Sequence, residues 1–168
     1  MKIIICFLFL LFTLPANASL IGDEVGCTTS SSSWSCDPTT TSVSGSVVEF
    51  GIMLHAFRAF DLDIGESNID FNVLLSVGGI LGLGPVSILD IDSMITGFTF
   101  DTNIEGLDVT RLSFTDHSFN TDFDGLTVAP GQFLNINLVT ASVPEPSTMS
   151  LLGLALAGIG FFRKKKSV

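Results

Sequence analysis

Beyond the first third of the chain, apolar and polar residues alternate with a period of two in short runs. In the clearest run, Ile69, Phe71 and Val73 alternate with Asp70 and Asn72. The apolar members of the other runs are Phe57, Ala59, Leu62, Ile64, Ile95, Phe98, Phe100, Val109, Leu112, Phe114, Phe119, Phe123, Phe133, Leu134, Ile136 and Leu138. Successive side chains of a strand point to opposite faces, and Gly, Asp and Asn separate the runs about every eight to twelve residues. We therefore predict an all-β fold, a single antiparallel, jelly-roll-like β-sandwich at residues 47–142.

The uncharged stretch 71–89 allows a second interpretation, because nineteen uncharged residues are long enough for a membrane span. Four glycines and one proline interrupt this stretch, and Asp70 and Asp90 flank it with no Lys or Arg nearby. A membrane span usually has a basic flank on one side. Two buried strands around a glycine-rich loop are therefore the favoured interpretation.

The N-terminus has the order of a secretory signal peptide. A basic start is followed by an apolar run at residues 3–14 and by Ala16-Asn17-Ala18, an A-x-A cleavage sequence. We predict a signal peptide at residues 1–18, cut by signal peptidase between Ala18 and Ser19. The mature chain is then exported into an oxidising compartment.

The C-terminal segment, residues 143–168, has three parts in a fixed order. Pro144, Glu145 and Pro146 come first and keep the chain extended. Residues 148–162 are uncharged and mostly apolar, and at about 1.5 Å per residue they form a helix of roughly 22 Å, shorter than the ~30 Å core of a bilayer. The basic cluster that follows is typical of a stop-transfer sequence. Its residues are Arg163, Lys164, Lys165 and Lys166.

These parts, at about residues 143–166, resemble the PEP-CTERM sorting signal of Gram-negative bacteria. The resemblance implies that an exosortase, a membrane-embedded transpeptidase-like enzyme, recognises the tail and removes it near Pro144-Glu145-Pro146. It also implies a bacterium that makes extracellular polysaccharide, with the tail only transiently in the inner membrane and the mature domain at the cell surface or outside the cell. A plain C-terminal membrane anchor is the alternative interpretation.

Between the two signals the chain is strongly acidic. Residues 19–143 contain sixteen Asp and Glu, no lysine, and only Arg58 and Arg111 as basic residues, a net charge of about −14 with neutral histidines. Such a surface repels nucleic acids and attracts cations. Nucleic-acid binding is therefore excluded.

Residues 19–46 are rich in Ser and Thr and are predicted to form an exposed surface segment. Cys27 and Cys36 are the only cysteines of the mature chain, and an even pair in an exported domain predicts one disulfide. Trp34, the only tryptophan, lies between them. It is expected to cap the edge of the sandwich, with stacking on a sugar ring as the alternative.

The sequence contains few residues that could form a catalytic site. Asp116, His117 and Ser118 are adjacent, but neighbouring residues of a strand point to opposite faces and cannot form a relay among themselves. His117 is predicted to lie in a hairpin turn, and the second histidine, His55, has no recognisable motif around it. We therefore predict that the protein is not an enzyme and has no cofactor, with calcium as the one candidate ion.

Two segments resemble the first half of a calcium-binding loop, with oxygen ligands at alternate positions before a glycine. Both lack the glutamate that ends such a loop, so solvent-facing strand residues followed by a turn are the alternative interpretation. The candidate calcium ligands are Asp101, Asn103, Glu105, Asn120, Asp122 and Asp124.

Two functions remain open for the exported domain. The first is a structural or adhesive component of the extracellular matrix or biofilm, whose acidic faces calcium cross-links. The second is a lectin-like carbohydrate-binding sandwich that uses Trp34 or an exposed phenylalanine. Exopolysaccharide is the candidate partner in both cases.

Overall fold

A computed structural model describes residues 19–45, 47–77 and 83–141, together with Gly153. Ala18–Ala141 form one compact unit, and residues 1–17 and 142–168 fall outside it. No helix among the described residues is long and apolar enough to cross a membrane. The predicted tail helix lies outside the described residues, apart from Gly153.

The described chain folds into eleven strands that form two antiparallel sheets. A 3₁₀ turn, Val109–Arg111, precedes the ninth strand. The strands are β1 (Glu24–Thr29), β2 (Trp34–Asp37), β3 (Thr40–Ser42), β4 (Phe50–Leu54), β5 (Phe57–Ile64), β6 (Asn68–Val73), β7 (Pro85–Leu89), β8 (Ile95–Thr102), β9 (Leu112–Thr115), β10 (Ser118–Asp122) and β11 (Phe133–Thr140).

The six-stranded sheet has the order β2-β4-β5-β6-β11-β8 and the five-stranded sheet the order β3-β1-β7-β10-β9. Both sheets are open and bury one face against a shared core, so the predicted β-sandwich is confirmed. The period-two pattern marks the buried face well in β6, where Ile69, Phe71 and Val73 are buried. In β11 the buried residues are Leu134, Ile136 and Leu138.

Aromatic rings fill the centre of the core. Phe123 follows β10 and packs its ring 5.2 Å from that of Phe60 and 5.4 Å from that of Phe71 (centroid distances). All three rings are almost fully buried. Because Phe123 follows directly on β10 of the five-stranded sheet whereas Phe60 and Phe71 belong to the six-stranded one, this cluster joins the two layers.

The Ser/Thr-rich segment differs from its prediction as an exposed surface. It supplies β1 and β3 to one sheet and β2 to the other, and Val25, Trp34 and Cys36 are buried. The physical reason is that its Ser and Thr residues occupy mainly the outward positions of short strands, whereas the few apolar residues point inward. The sandwich therefore begins well before residue 47.

The uncharged stretch 71–89 forms parts of two strands, as the favoured interpretation predicts. Phe71 lies in β6 of the six-stranded sheet, and Val86 and Ile88 lie buried in β7 of the five-stranded sheet. The glycine-rich residues 78–82 between them lie outside the described part. Three apolar members of the runs are exposed and not buried: Val109 lies in the 3₁₀ turn and is 58% exposed, Phe57 is 68% exposed at the start of β5, and Phe114 is 37% exposed in β9.

Candidate functional site

Most of the predicted sorting residues lie outside the described chain. These are Ala18, residues 144–146 and the basic cluster 163–166. Ser19, the predicted mature N-terminus, is described, and its Oγ accepts a hydrogen bond from the N–H of Ile21 at 3.2 Å. The roles of the signal residues therefore stay predictions from the sequence.

The predicted disulfide between Cys27 and Cys36 is present, with 5.8 Å between the two Cα atoms. Cys27 lies in β1 and Cys36 in β2, so the bond links the two sheets near one edge. Both sulfurs are buried in the core. The disulfide therefore fixes the layers against each other and has no access to a substrate.

Trp34 lies on β2, at the edge of the six-stranded sheet, as expected for a residue that caps the sandwich. It is only 4% exposed, and its ring centroid lies 6.2 Å from that of Phe60. In this position the indole offers no open face to a sugar ring. Stacking by Trp34 is therefore not supported by the geometry.

The first candidate calcium segment leads out of β8. Asp101 is exposed on that strand, and Glu105 lies in the turn that follows. Asn103 instead fastens this turn to β11, because its Oδ1 accepts a hydrogen bond from the N–H of Phe133 at 2.8 Å. Its backbone oxygen accepts another from Gln132 Nε2 at 3.2 Å. One of the three predicted ligands is thus engaged in a structural contact.

The second candidate segment is held by an arginine. Arg111 Nη1 donates to the backbone oxygen of Asp124 at 2.8 Å and to that of Asp122 at 3.4 Å. Asp122 Oδ1 also accepts from the N–H of Asp124 at 2.9 Å, and Gly125 completes the turn with a φ of 77°. The guanidinium lies against oxygens of the kind that bind calcium in such loops. Asn120, the remaining candidate, lies on β10.

Among the described residues, no group of three or more His, Cys, Asp or Glu side chains is placed to hold a metal ion. Glu105 and Gly125, one from each candidate segment, line a surface depression of about 360 Å³, and Glu105 is the only charged residue among the described residues that line it. Calcium binding therefore stays a prediction that rests on the acidity of the chain.

The two histidines lie apart, in separate hairpins. His117 occupies the β9–β10 turn, as predicted, and its Nδ1 lies 2.7 Å from the backbone oxygen of Ile91. His55 lies in the β4–β5 turn with a φ of 55°. Each histidine thus lies in a hairpin turn of its own. The prediction that the protein is not an enzyme stays a prediction.

Sequence patterns did not indicate Glu49, a carboxylate that accepts several hydrogen bonds within the described part of the domain. Glu49 is 5% exposed, and its Oε2 accepts a hydrogen bond from the N–H of Ile64 at 2.8 Å. Its Oε1 accepts from the N–H of Ser44 at 3.0 Å and from the hydroxyl of the same residue at 3.1 Å. Glu49 therefore ties the segment before β4 to the end of β5.

A second carboxyl group, Asp63, shares a hydrogen bond with Glu49. Burial alone would raise the pKa of Glu49, but the hydrogen bonds from Ile64, Ser44 and Asp63 outweigh it and hold that pKa below its ordinary value. The pKa of Asp63 is raised by burial, by the bond to Glu49 and by the charges of Glu49 and Asp70. Asp63 is therefore the member of the pair that carries a proton more readily.

The outer face of the six-stranded sheet carries a row of polar side chains across four strands. In the strand register Asp63 lies opposite Asp70, Asp70 opposite Asn135, and Asn135 opposite Asp101. Asn135 Nδ2 donates to Asp70 Oδ1 at 2.6 Å, and Asn68 Nδ2 donates to Asp70 Oδ2 at 2.7 Å. We call Asp63, Asp70, Asn135 and Asp101 the acidic row.

A small apolar surface lies at the end of the sandwich where β5 begins and β6 ends. Phe57 is 68% exposed, and Leu74 and Leu75 are also exposed. The N–H of Leu74 donates to the backbone oxygen of Ala59 at 2.8 Å, which brings the chain after β6 beside the start of β5. Clustered exposed apolar residues often mark an interaction site.

The model of the PEP-CTERM protein-sorting motif family matches residues 142–165, which confirms the resemblance of the C-terminal segment. Neither a curated protein nor a solved structure matches the chain. The matched residues follow directly on the sandwich, whose last described residue is Ala141. What the sandwich itself does must be inferred from its surfaces.

Proposed function

We propose that this chain, which carries a PEP-CTERM sorting motif and is therefore an exported substrate of an exosortase, is a structural or adhesive protein and not an enzyme. The motif implies export to the envelope or surface of a Gram-negative bacterium. The finer role, retention in the extracellular matrix, is inferred from the domain.

The acidic row is the observation that carries this proposal. It places three carboxylates and one amide in a line on an open sheet face, with neighbouring strands about 4.8 Å apart. With a net charge of about −14 between the signals, two such faces repel each other unless cations lie between them. Calcium ions that bridge the rows of two copies, or a row and an acidic polysaccharide, would hold the protein in a matrix.

We expect that a chelator releases the mature protein from isolated matrix and that added calcium restores its retention. The double variant Asp70→Asn/Asp101→Asn should be retained about tenfold less than the wild type, a change of about 1.4 kcal/mol. The matched control, Asp90→Asn/Asp116→Asn, removes two exposed carboxylates outside the row and should behave like the wild type. Retention that does not depend on calcium, or an equal loss in both variants, would contradict the role of the row.

A lectin-like function is the second candidate, and the exposed ring of Phe57 favours it. An aromatic ring offers a flat apolar face, and Leu74 and Leu75, on the segment beside the start of β5, are exposed as well. In this second function the ring of Phe57 would contact the polysaccharide directly, and no calcium ion would be needed between them.

If this second function is correct, Phe57→Ala should lower retention on an immobilised exopolysaccharide about tenfold, in the presence of a chelator. Val109→Ala is the matched control, because Val109 is 58% exposed outside this surface. Retention is read from binding curves on glycans isolated from the host. Equal binding by both variants, or binding only with calcium present, would exclude Phe57 as the platform.

A further inference from the structure

The two ends of the folded domain meet at the turn between β5 and β6. Leu20 donates its N–H to the backbone oxygen of Glu66 at 2.8 Å, and Leu138 donates its N–H to that of Ser67 at 2.8 Å. We call this end of the sandwich the terminal end. It carries both the predicted mature N-terminus and the end of the last strand.

The sorting motif follows the terminal end after a very short connection. The N–H of Ala141 donates to the backbone oxygen of Met94 at 2.8 Å, which holds this residue against the start of β8. Only Ser142 and Val143 separate it from Pro144. Three Cα–Cα steps cover at most about 11 Å, whereas a domain of this size has a radius of gyration of about 14 Å. An enzyme that acts at Pro144-Glu145-Pro146 therefore works within contact distance of the folded domain.

The terminal end exposes apolar side chains beside this exit point. Val139 is 52% exposed, Met94 is 45% exposed and Ile21 is 50% exposed. The hydroxyl of Thr96 donates to the backbone oxygen of Val139 at 3.0 Å, so Val139 and the start of β8 form one continuous surface. Exposed apolar residues next to a short connection are suited to a contact with a protein.

The charges at the terminal end favour a protein over a lipid surface. Glu66 is exposed in the β5–β6 turn, and Asp92 is exposed between β7 and β8. The carboxylate of Asp23 accepts a hydrogen bond from the N–H of Asp92 at 3.3 Å. Anionic lipid head groups repel such carboxylates, whereas a protein can offer basic and apolar groups together.

We propose that the terminal end is a docking surface for the membrane-embedded sorting enzyme, which thus binds the folded domain as well as the tail. The inference rests on the proposed processing by an exosortase. It assigns Val139, Met94 and Ile21 to the contact. Processing then depends on the folded state of the domain and on the short spacing between Ala141 and Pro144.

The test compares single variants of the full-length chain in its native host. Val139→Asp and Met94→Asp should each slow tail removal about tenfold in a pulse-chase experiment that follows the shift to the mature mass. Val109→Asp makes the same chemical change next to β9, at the opposite end of the sandwich, and should stay within about twofold of the wild type. Melting curves of each mature variant check that it is folded. If Val139→Asp does not fold, Met94→Asp alone is compared with Val109→Asp.

A second arm lengthens the connection. A flexible Gly/Ser linker of about twelve residues after Ala141 should slow tail removal, because it separates the docking surface from the motif. Unchanged or faster processing with the linker, or equal rates for Val139→Asp, Met94→Asp and Val109→Asp, would overturn docking.

Replacement of Pro144-Glu145-Pro146 by alanines should abolish tail removal. If the tail of the wild type is never removed, the proposed processing by an exosortase is wrong. That result differs from a failure of docking alone, in which the tail is removed at the same rate in all variants.

Discussion

Replacing Glu49 with alanine is expected to lower the free energy of unfolding by about 3 kcal/mol at neutral pH. The substitution removes the acceptor for two backbone N–H groups, those of Ile64 and Ser44, at a site where the carboxylate is 5% exposed. A buried donor left without a partner costs about 1–3 kcal/mol. The measurement is chemical denaturation of the mature domain, and Glu66→Ala, at an exposed turn position, is the control.

The pH dependence of the free energy of unfolding reports on the same pair of carboxyl groups, Glu49 and Asp63. The pKa of Glu49 is lowered in the fold, so its contribution is present above its unfolded pKa of 4.5 and is lost as the pH falls through the folded value. The pKa of Asp63 is raised, so its contribution is present below its unfolded pKa of 3.8 and is lost as the pH rises through the folded value. The pair therefore stabilises the fold most in the mildly acidic range, where Glu49 is charged and Asp63 can still carry a proton.

A companion variant separates the two groups. Asp63→Asn keeps a hydrogen-bond donor next to Glu49 and removes the second negative charge, so it should stabilise the domain at neutral pH and have little effect in acid. Equal stability of wild type and Glu49→Ala from pH 4 to pH 7 would show that Glu49 does not hold this part of the fold. A uniform loss for Asp63→Asn would contradict the shared hydrogen bond.

The sequence predicted the strands with one solvent-facing side most accurately. In β6 and β11 every second residue is apolar and buried, because a strand on the face of a sandwich exposes its remaining residues to water. The disulfide was predictable because Cys27 and Cys36 are the only cysteines after the predicted signal peptide of an exported chain. The sorting signal was predictable because its three parts must follow each other along the chain and need no tertiary structure.

The Ser/Thr-rich segment shows why composition misled the prediction. Trp34 and Cys36 are buried in β2 and alternate with Ser35 and Asp37, so the period-two signal was present. It covers only four residues, and the many serines and threonines around it suggested an exposed segment. In β2 two inward positions alternate with two outward ones, and the Ser and Thr residues around them dominate the composition.

The candidate site depended on contacts that no local pattern contains. Glu49 meets Ile64 fifteen residues later, and Arg111 meets Asp124 thirteen residues later. Neither pair has a fixed spacing that a motif could encode, since each depends on how the strands are paired. For the same reason the calcium-like pattern near Asp122 could not reveal that an arginine lies against its backbone oxygens.

Removing the disulfide is the second change with a large expected effect. The bond between Cys27 and Cys36 closes a loop with a sequence separation of nine and joins the two sheets. A loop of this length restricts the unfolded chain by an amount worth about 3 kcal/mol. Cys27→Ala/Cys36→Ala should therefore lose about 3 kcal/mol of unfolding free energy in chemical denaturation.

Reduction of the wild type provides the internal control for this loss. The reduced wild type keeps both sulfurs in the core, so any difference between it and the double alanine variant measures packing and not the cross-link. Both forms should unfold at similarly lower denaturant concentrations than the oxidised protein. A loss below about 1 kcal/mol would mean that β1 and β2 are held together by Trp34, Phe60 and the surrounding core without the bond. A loss in the double variant alone would assign the effect to the buried sulfur volume, because reduction breaks the link and leaves that volume in place.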